Sequence, residues 1–299
     1  MNDLEVGKER IRQAVAAMKQ QYPNAPIFFV KLLRQFGDVC HSTIVVRHYR
    51  RTNPDAVVIW GISEKYVSEF EAFKSLPDGP HMIVGLPHGP IFPYDRELRV
   101  AWVRYAETLG IRVIKCAVHP WGERSGSIID SILQNAGIRH LAVPRRPVIP
   151  VDISDYSWCD QYLAQNQLWG WYVTLEYLSY SLPVHDLNWY AELIKLIKCP
   201  VVAFASKNEP MPAGAVDARG CTYRQAKTLI MRSKCFVGCA SGNGLLAVSE
   251  GCETPMVEIV DRQNSYLPLK YLNANRVHSY TGFSKSPAEV AAIINSIWL

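Results

Sequence analysis

One segment, residues 235–260, constrains the fold more than any other part of the chain. It reads CFVGCASGNGLLAVSEGCETPMVEIV, with strand-like apolar runs at 235–238 and 256–260. Between them, the small residues at 241–244 form a loop and then lead into a helix-like run. A strand, a small-residue loop, a helix and a second strand make up half of a βαβ nucleotide-binding unit. An ordinary tight turn of an α/β protein is the alternative interpretation.

The loop has the chemistry of an anion site. Backbone N–H groups are free at a helix N-terminus, where the helix dipole favours an anion such as a diphosphate. Gly242-x-Gly244-x-x-Ala247 also fits the relaxed dinucleotide fingerprint. The pattern therefore favours a phosphate-bearing ligand.

Composition places the chain among globular proteins and leaves its partner open. Of its 299 residues, 48% are hydrophobic and 20% charged, which is typical of one large or two medium globular domains. The net charge of +5 is mild: it suits an anionic ligand, and no nucleic acid is expected. We expect no transmembrane helix, because no apolar run approaches the roughly 18 residues that such a helix needs.

The cysteine pattern predicts reduced thiols and no metal. Eight cysteines are scattered along a chain whose N-terminus lacks a secretory signal, so a cytoplasmic location is expected. Cys235 and Cys239 lack a second pair or a histidine partner at zinc spacing. We therefore expect neither a metal nor a cofactor.

Strand and helix signals alternate along both halves of the chain. In the first half, helices are predicted at 4–21, 39–52, 95–109 and 127–136, and strands at 26–30, 56–61, 82–86 and 111–114. The turn-rich stretch PRRPVIPVD at 144–152 interrupts this alternation. The pattern predicts an α/β protein with two doubly wound, Rossmann-like domains, 1–146 and 147–299, facing a central cleft.

A second candidate functional stretch follows the first predicted strand. There Gly37-Asp38 stands at a β–α turn, which places a carboxylate at the carboxyl edge of the sheet. Open α/β sheets bind their ligands at that edge. The alternative is that Asp38 caps its helix, a role in which aspartate is common.

These two stretches resemble the heptosyltransferase-like GT-B glycosyltransferases. Residues 31–60, KLLRQFGDVCHSTIVVRHYRRTNPDAVVIW, are similar to the opening of that family, in which a small-residue loop ends in Gly-Asp. Residues 228–257, TLIMRSKCFVGCASGNGLLAVSEGCETPMV, are similar to its late Ser-Gly loop and Thr-Pro. The matches stand in the right order and cover about a fifth of the 299 residues.

The resemblance implies a GT-B fold, with the acceptor held by the first domain and the sugar nucleotide by the second. It assigns the catalytic base to Asp38. It also assigns the donor phosphates to the loop that contains Ser241, Gly242, Asn243 and Gly244. It implies an inverting enzyme, because the glutamates that flank the loop in the retaining branch are replaced by Ser241 and Ser249.

The chain departs from the family pattern at three points. Ala240 stands where the family has an aspartate, and Leu245 where it has a histidine. No lysine follows the predicted strand at 172–177, where the family carries its phosphate-binding lysine. Other basic residues therefore become the candidates to neutralise the charge of a diphosphate leaving group: Lys207, Arg219 and Lys227.

The remaining candidates follow predicted strands. Glu258, near the end of a strand, is placed to accept ribose hydroxyls, as a carboxylate after such a fingerprint usually does. Gly37, His41, His88, His119 and Trp121 are candidates for the acceptor side. For each of them, packing or surface exposure is the alternative.

The resemblance thus implies an inverting glycosyltransferase of cell-surface polysaccharide or lipopolysaccharide synthesis. Its partners would be a nucleotide-sugar donor and a glycan or lipid-linked acceptor, with peripheral association at the inner membrane face. Two alternatives stay open: a sugar-nucleotide epimerase or hydrolase of the same fold, and a non-catalytic protein that binds sugar nucleotides or glycans.

Overall fold

The computed structural model describes residues 2–32, 35–87, 95–116, 128–179, 185–239, 241–260, 277–281 and 285–297. The described residues fall into two compact units that divide between Pro150 and Val151. This division lies within the turn-rich stretch at 144–152.

The first unit is a four-stranded parallel sheet with helices. Its elements are α1 (Asp3–Gln21), β1 (Ile27–Lys31), α2 (Phe36–Thr52), β2 (Val57–Ser63), α3 (Val67–Phe70), β3 (Met82–Leu86), α4 (Asp95–Thr108), β4 (Arg112–Lys115) and α5 (Ile128–Asn135). The strand order is β3-β2-β1-β4. All three pairings are parallel.

Burial on both faces explains the composition of the central strands. β1 and β2 read IFFVK and VVIWGIS, and every residue of β2 is buried. Parallel strands covered on both sides have near-continuous apolar runs. On one face Phe29 and Ile59 pack in a core cluster with Trp102 of α4. On the other face Trp60 packs edge-on against Phe70 of α3.

The second unit repeats this plan with six strands. Its elements are α6 (Ile153–Gln165), β5 (Val173–Glu176), α7 (Leu187–Leu196), β6 (Val201–Phe204), β7 (Val216–Asp217), α8 (Tyr223–Arg232), β8 (Cys235–Gly238), α9 (Gly242–Ala247), β9 (Met256–Val260), β10 (Val277–Thr281) and α10 (Pro287–Ser296). The strand order is β10-β9-β8-β5-β6-β7. All pairings in this sheet are parallel as well.

Each sheet contains one point at which the strand order reverses. From β1 the chain moves outward through β2 and β3, and then returns to the opposite side of β1 with β4. From β5 it moves outward through β6 and β7, and returns to the opposite side of β5 with β8. Crevices for ligands form at the carboxyl ends of strands at such reversals. The fold therefore marks the ends of β1 and β4, and of β5 and β8.

Four elements differ from the sequence prediction. α2 begins at Phe36, so Asp38 lies in the first turn of the helix and not in the preceding turn. No helix was predicted at 153–165, where the structure has α6, whose capping box joins Asp152 and Asp155. The short strands β7 and β10 were not predicted, because strands of two and five residues with mixed polarity carry little periodicity.

No helix in the described ranges is both long and apolar enough to cross a membrane.

The packing of α1 generates a test of the first unit. A Cβ atom added to Gly7 would lie 2.2 Å from Nε1 of Trp102, whose indole N–H donates to the Leu4 carbonyl at 3.0 Å. Alanine usually stabilises a helix interior by about 1 kcal/mol relative to glycine. At this site we expect Gly7→Ala to lower the free energy of unfolding by about 1–2 kcal/mol, because overpacking outweighs that gain.

Urea denaturation of Gly7→Ala in the wild type and in a Trp102→Ala background measures this effect. Without the indole ring, the same substitution should be neutral or stabilising. A stabilising effect in the wild type would contradict the packing of α1 on α4.

Candidate functional site

A buried glutamate organises the end of the second sheet at its reversal point. Glu176 is the last residue of β5, and its side chain is almost fully buried. Asn243 donates an amide hydrogen bond to Glu176 Oε1 at 3.0 Å. The Ser241 hydroxyl donates to Oε2, and the Cys239 thiol lies 3.9 Å from the same oxygen. One carboxyl group thus holds three alternate residues of the loop that follows β8.

The same loop begins helix α9. Ser241 is the N-cap residue, and its hydroxyl accepts the backbone N–H of Gly244 at 3.3 Å. Ser241 therefore connects Glu176 to the first turn of α9 through one hydroxyl, which donates to the carboxyl and accepts from the backbone. Gly242 and Asn243 are half-buried, and Gly244 is buried. The structure brings the predicted loop residues together around Glu176.

The surroundings of Glu176 favour its neutral form. Burial raises the pKa of Glu176 from 4.5 to about 7, although the hydrogen bonds from Ser241, Asn243 and Cys239 lower it in part. A carboxylate transferred out of water loses hydration that neutral donors replace only partly. In the described part of the chain, Glu176 forms no salt bridge. Glu176 therefore titrates near neutral pH.

Other acidic groups lie close to this loop. Glu258 on β9 is fully buried and is in register with Gly238 at the end of β8. Burial raises the pKa of the Cys239 thiol, and both Glu176 and Glu258 raise it further. Since the Glu258 side chain is fully buried, it presents no surface to a ribose in this structure. Its predicted role in binding ribose hydroxyls stays a prediction.

The three candidate cations have different surroundings. Lys227 is buried, and its ammonium group donates to the Glu250 carbonyl at 3.0 Å. Arg219 forms a bidentate pair with Asp217, with Nε–Oδ1 at 2.9 Å and Nη2–Oδ2 at 2.8 Å. Lys207 is exposed three residues after β6, and its ammonium group makes no hydrogen bond or ion pair with the described residues. Lys207 is therefore the candidate that is available to an anion.

In the first unit, Asp38 lies at the start of α2, the helix that follows β1. It is half-buried in the first turn of α2, where the helix dipole stabilises a negative charge. The N-cap residue, Gln35, makes no side-chain capping bond. Instead, the Tyr66 hydroxyl forms a hydrogen bond with the Phe36 backbone. Burial raises the pKa of Tyr66 to about 12, and the negative charge of Asp38 adds to that rise. Tyr66 therefore lies near Asp38 and fixes the start of its helix.

His41 is held inside the same turn. Its Nδ1 lies 2.9 Å from the Gly37 carbonyl, and the ring is buried. Burial lowers the pKa of His41 to about 4, so the imidazole is neutral at pH 7 and donates its Nδ1 proton to Gly37. This geometry makes His41 a support for the turn that carries Asp38. Gly37 takes part through its backbone carbonyl.

Further contacts anchor α2 and thereby set the position of Asp38. The Trp60 indole donates to the Ser42 hydroxyl at 3.0 Å from the middle of β2. Arg47 forms a buried ion pair with Asp78, with Nε–Oδ2 at 2.9 Å. Removing one partner of such a pair leaves an uncompensated charge, which costs several kcal/mol. α2 is thus tied to its unit along its length.

Several predicted residues lie outside the described ranges. His88, His119 and Trp121 belong to this group, as does Ala240. Their predicted roles stay predictions. Among the described residues, no cluster of three or more histidine, cysteine or acidic side chains could hold a metal ion.

The sequence analysis missed two residues that organise the site. Glu176 was predicted only as part of the strand at 172–177, although a carboxylate near the end of a strand was a usable signal. Tyr66 gave no signal, because its contact with Phe36 depends on a short 3₁₀ helix at Glu64–Tyr66 that no periodicity reveals.

Comparisons with known proteins identify the fold. No family model and no curated relative matches the chain. A family 9 glycosyl transferase of Veillonella parvula matches with 11% identity and a TM-score of 0.63, over 86% of this chain and 85% of that chain. The ADP-heptose LPS heptosyltransferase II of E. coli matches with 14% identity and a TM-score of 0.63, over 91% of this chain and 98% of that chain.

A third solved structure adds a ligand and a metal. TibC of enterotoxigenic E. coli is an iron-containing dodecameric glycosyltransferase that has also been solved in complex with ADP-D-β-D-heptose. It matches with 14% identity and a TM-score of 0.52, over 79% of this chain and 58% of that chain. At such identities the likeness shows the fold, and it confirms the predicted GT-B class with two Rossmann-like units.

The raised pKa of Glu176 gives a prediction on stability. Between pH 4.5 and about 7, the carboxyl is protonated in the folded protein and ionised in the unfolded chain. Unfolding therefore releases a proton in this window, and the free energy of unfolding falls as the pH rises. We expect a loss of about 3 kcal/mol across the window, which Glu176→Gln should abolish.

Chemical denaturation of wild type and variant at half-unit pH steps checks this prediction. Glu192→Gln, an exposed substitution on α7, is the matched control and should keep the wild-type pH dependence. Equal pH dependence of wild type and Glu176→Gln would show that Glu176 does not titrate abnormally.

Proposed function

We propose that the chain is an inverting glycosyltransferase that uses a nucleotide-sugar donor and a hydroxyl acceptor. The observation that carries this proposal is the arrangement at the two strand-order reversals. In each sheet, a motif with the chemistry of group transfer lies in the segment after a strand that ends at the reversal. Asp38 follows β1. The Ser241–Asn243 segment follows β8 and is held by Glu176 of β5.

The second unit supplies the donor side in this proposal. The side chains of Ser241 and Asn243 provide neutral polar groups for a diphosphate, and Lys207 provides positive charge. A departing nucleoside diphosphate needs its developing charge neutralised, which a lysine achieves without a metal ion. We therefore propose a metal-free reaction. The iron in TibC makes metal dependence the point to test for this chain.

The first unit supplies the base. Asp38 accepts the proton of the acceptor hydroxyl while the acceptor oxygen attacks the anomeric carbon. The bond from that carbon to the diphosphate oxygen breaks, and the electron pair leaves with the nucleoside diphosphate. The helix dipole stabilises a negative carboxylate in the first turn of α2, and a general base needs this charged form to accept a proton.

The relatives suggest the substrate class. TibC binds ADP-D-β-D-heptose, and the E. coli relative is named as an ADP-heptose LPS heptosyltransferase. We propose an ADP-sugar of this kind as donor. We also propose a glycan or lipid-linked acceptor of cell-surface synthesis, met on the cytoplasmic side of the membrane. An epimerase or hydrolase would instead consume the donor without an acceptor, and a binding protein would not consume it.

Replacement of Asp38 tests the catalytic role. We expect Asp38→Asn to lower the rate of sugar transfer by about 10²–10⁴-fold, because an amide cannot accept the proton. The dissociation constant for the donor should not change, since Asp38 belongs to the acceptor side. Release of the nucleoside diphosphate from ADP-D-β-D-heptose, measured with and without a glycan acceptor, gives the rate.

Asp55→Asn, an exposed substitution in the same unit, is the matched control and should keep full activity. A loss of less than about tenfold in Asp38→Asn would remove Asp38 from the role of base. Donor consumption that does not need an acceptor would favour the hydrolase or epimerase.

Replacement of Lys207 tests the donor side. We expect Lys207→Met to raise the dissociation constant for the donor about tenfold or more, because hydrogen bonds to charged groups contribute about 1.5–3 kcal/mol each. Titration calorimetry with ADP-D-β-D-heptose measures this change. Lys195→Met, on the exposed face of α7, is the matched control and should bind like wild type. Unchanged affinity in Lys207→Met would exclude Lys207 from the donor site.

A further inference from the structure

The Glu176 carboxyl group occupies the two side chains that the proposed function offers to the donor. Ser241 and Asn243 each donate a hydrogen bond to it, one to each carboxyl oxygen. An ionised Glu176 and a diphosphate would therefore compete as anions for the same two hydrogen-bond donors, the Ser241 hydroxyl and the Asn243 amide. This competition makes Glu176 a determinant of donor binding and not only a structural acid.

We propose that Glu176 is a positioning residue for the donor, and that its carboxyl group must hold a proton while the diphosphate lies at Ser241 and Asn243. This inference rests on the proposed function, because it assumes that the loop binds a nucleotide sugar. Donor binding is then accompanied by the uptake of one proton from solvent whenever Glu176 is ionised beforehand. No covalent bond forms or breaks in this step.

The charges around Glu176 support this requirement. From the loop after β8 it faces the Cys239 thiol, and from β9 the Glu258 carboxyl lies near that same thiol. On α7, burial raises the pKa of the Tyr190 phenol, and the nearby Cys239 and Glu176 raise it further. Each of these groups is neutral or negative, and in the described ranges no basic side chain contacts Glu176. Among the described residues, Glu176 itself therefore has no basic side chain that would balance an ionised carboxylate beside a diphosphate.

Protonation solves this conflict in two ways. It removes the negative charge of Glu176, so the diphosphate meets only the dipoles of Ser241 and Asn243. It also gives the carboxyl group an O–H donor in place of an acceptor, and an O–H donor can face a phosphate oxygen. The raised pKa of Glu176, about 7, means that this proton is gained without a large change of pH.

The linkage is measurable by titration calorimetry with ADP-D-β-D-heptose. Its diphosphate carries no group that titrates between pH 6 and 9. Experiments at pH 8 in two buffers of different ionisation enthalpy give the number of protons exchanged. We expect an uptake of about one proton per donor bound. The dissociation constant should be constant below about pH 7 and rise about tenfold per pH unit above it.

Two variants separate this role from a structural one. Glu176→Gln keeps the shape of the side chain and removes the titration, so proton uptake should vanish and affinity should no longer depend on pH. Glu192→Gln, exposed on α7, should keep the wild-type uptake and pH profile. If Glu176 had a purely structural role, Glu176→Gln would instead bind the nucleotide sugar more weakly by the same factor at every pH. The wild type would then bind it without proton exchange.

The outcomes distinguish this inference from the proposed function. Binding of ADP-D-β-D-heptose or UDP-glucose without proton uptake by the wild type overturns the inference and leaves the proposed function intact. Absence of binding of both probes at pH 6, where Glu176 is protonated, contradicts the proposed function and the inference together. Because the decisive measurement uses the wild type, a variant that fails to fold does not prevent the test.

Discussion

The buried carboxyl group of Glu176 is the contact on which the rest of the second unit's site depends. Its burial removes the hydration that normally keeps a glutamate ionised, and the hydrogen bonds of Ser241 and Asn243 replace that hydration only in part. The same bonds fix the loop after β8, because Ser241 also caps α9. The protonation of the Glu176 carboxyl group is thereby coupled to the geometry of the loop after β8.

Why Glu176 stands there follows from the topology. β5 is the strand at which the strand order reverses, so its neighbour on one side is β8. The loop after β8 therefore lies at the carboxyl end of β5. The register places Leu175 beside Val237, so the next residue of each strand is also adjacent. Gly238 leaves room here, since a Cβ atom at this position would lie 3.3 Å from the Glu176 Cβ. Sheet order, register and a missing side chain together bring the carboxyl group to the loop.

The sequence predicted what depends on periodicity and failed where long-range contacts decide. The apolar runs of β1, β2, β8 and β9 predicted two parallel α/β units, because parallel strands buried on both faces are mostly apolar. The Gly-Asp and Ser-Gly pairs were predicted to follow strands, but the strand order that places them at reversal points is not visible in the sequence. The sequence pattern could not show that Lys207 is exposed and Lys227 buried, because burial of a lysine depends on long-range packing. The Lys227 ammonium group, for example, donates to the Glu250 carbonyl. Glu176 was missed for the same reason: its partners lie more than sixty residues away.

The two reversal points carry carboxyl groups in opposite physical environments, and the proposed transfer reaction requires one of each kind. Asp38 lies half-buried in the first turn of a seventeen-residue helix, where the dipole stabilises its negative charge. Glu176 lies buried among neutral donors and acidic neighbours, where the charged form is disfavoured. A base must be ionised before it accepts a proton, whereas a group beside an anionic donor must not be. Carboxyl groups whose environments differ in this direction provide both properties at the same pH.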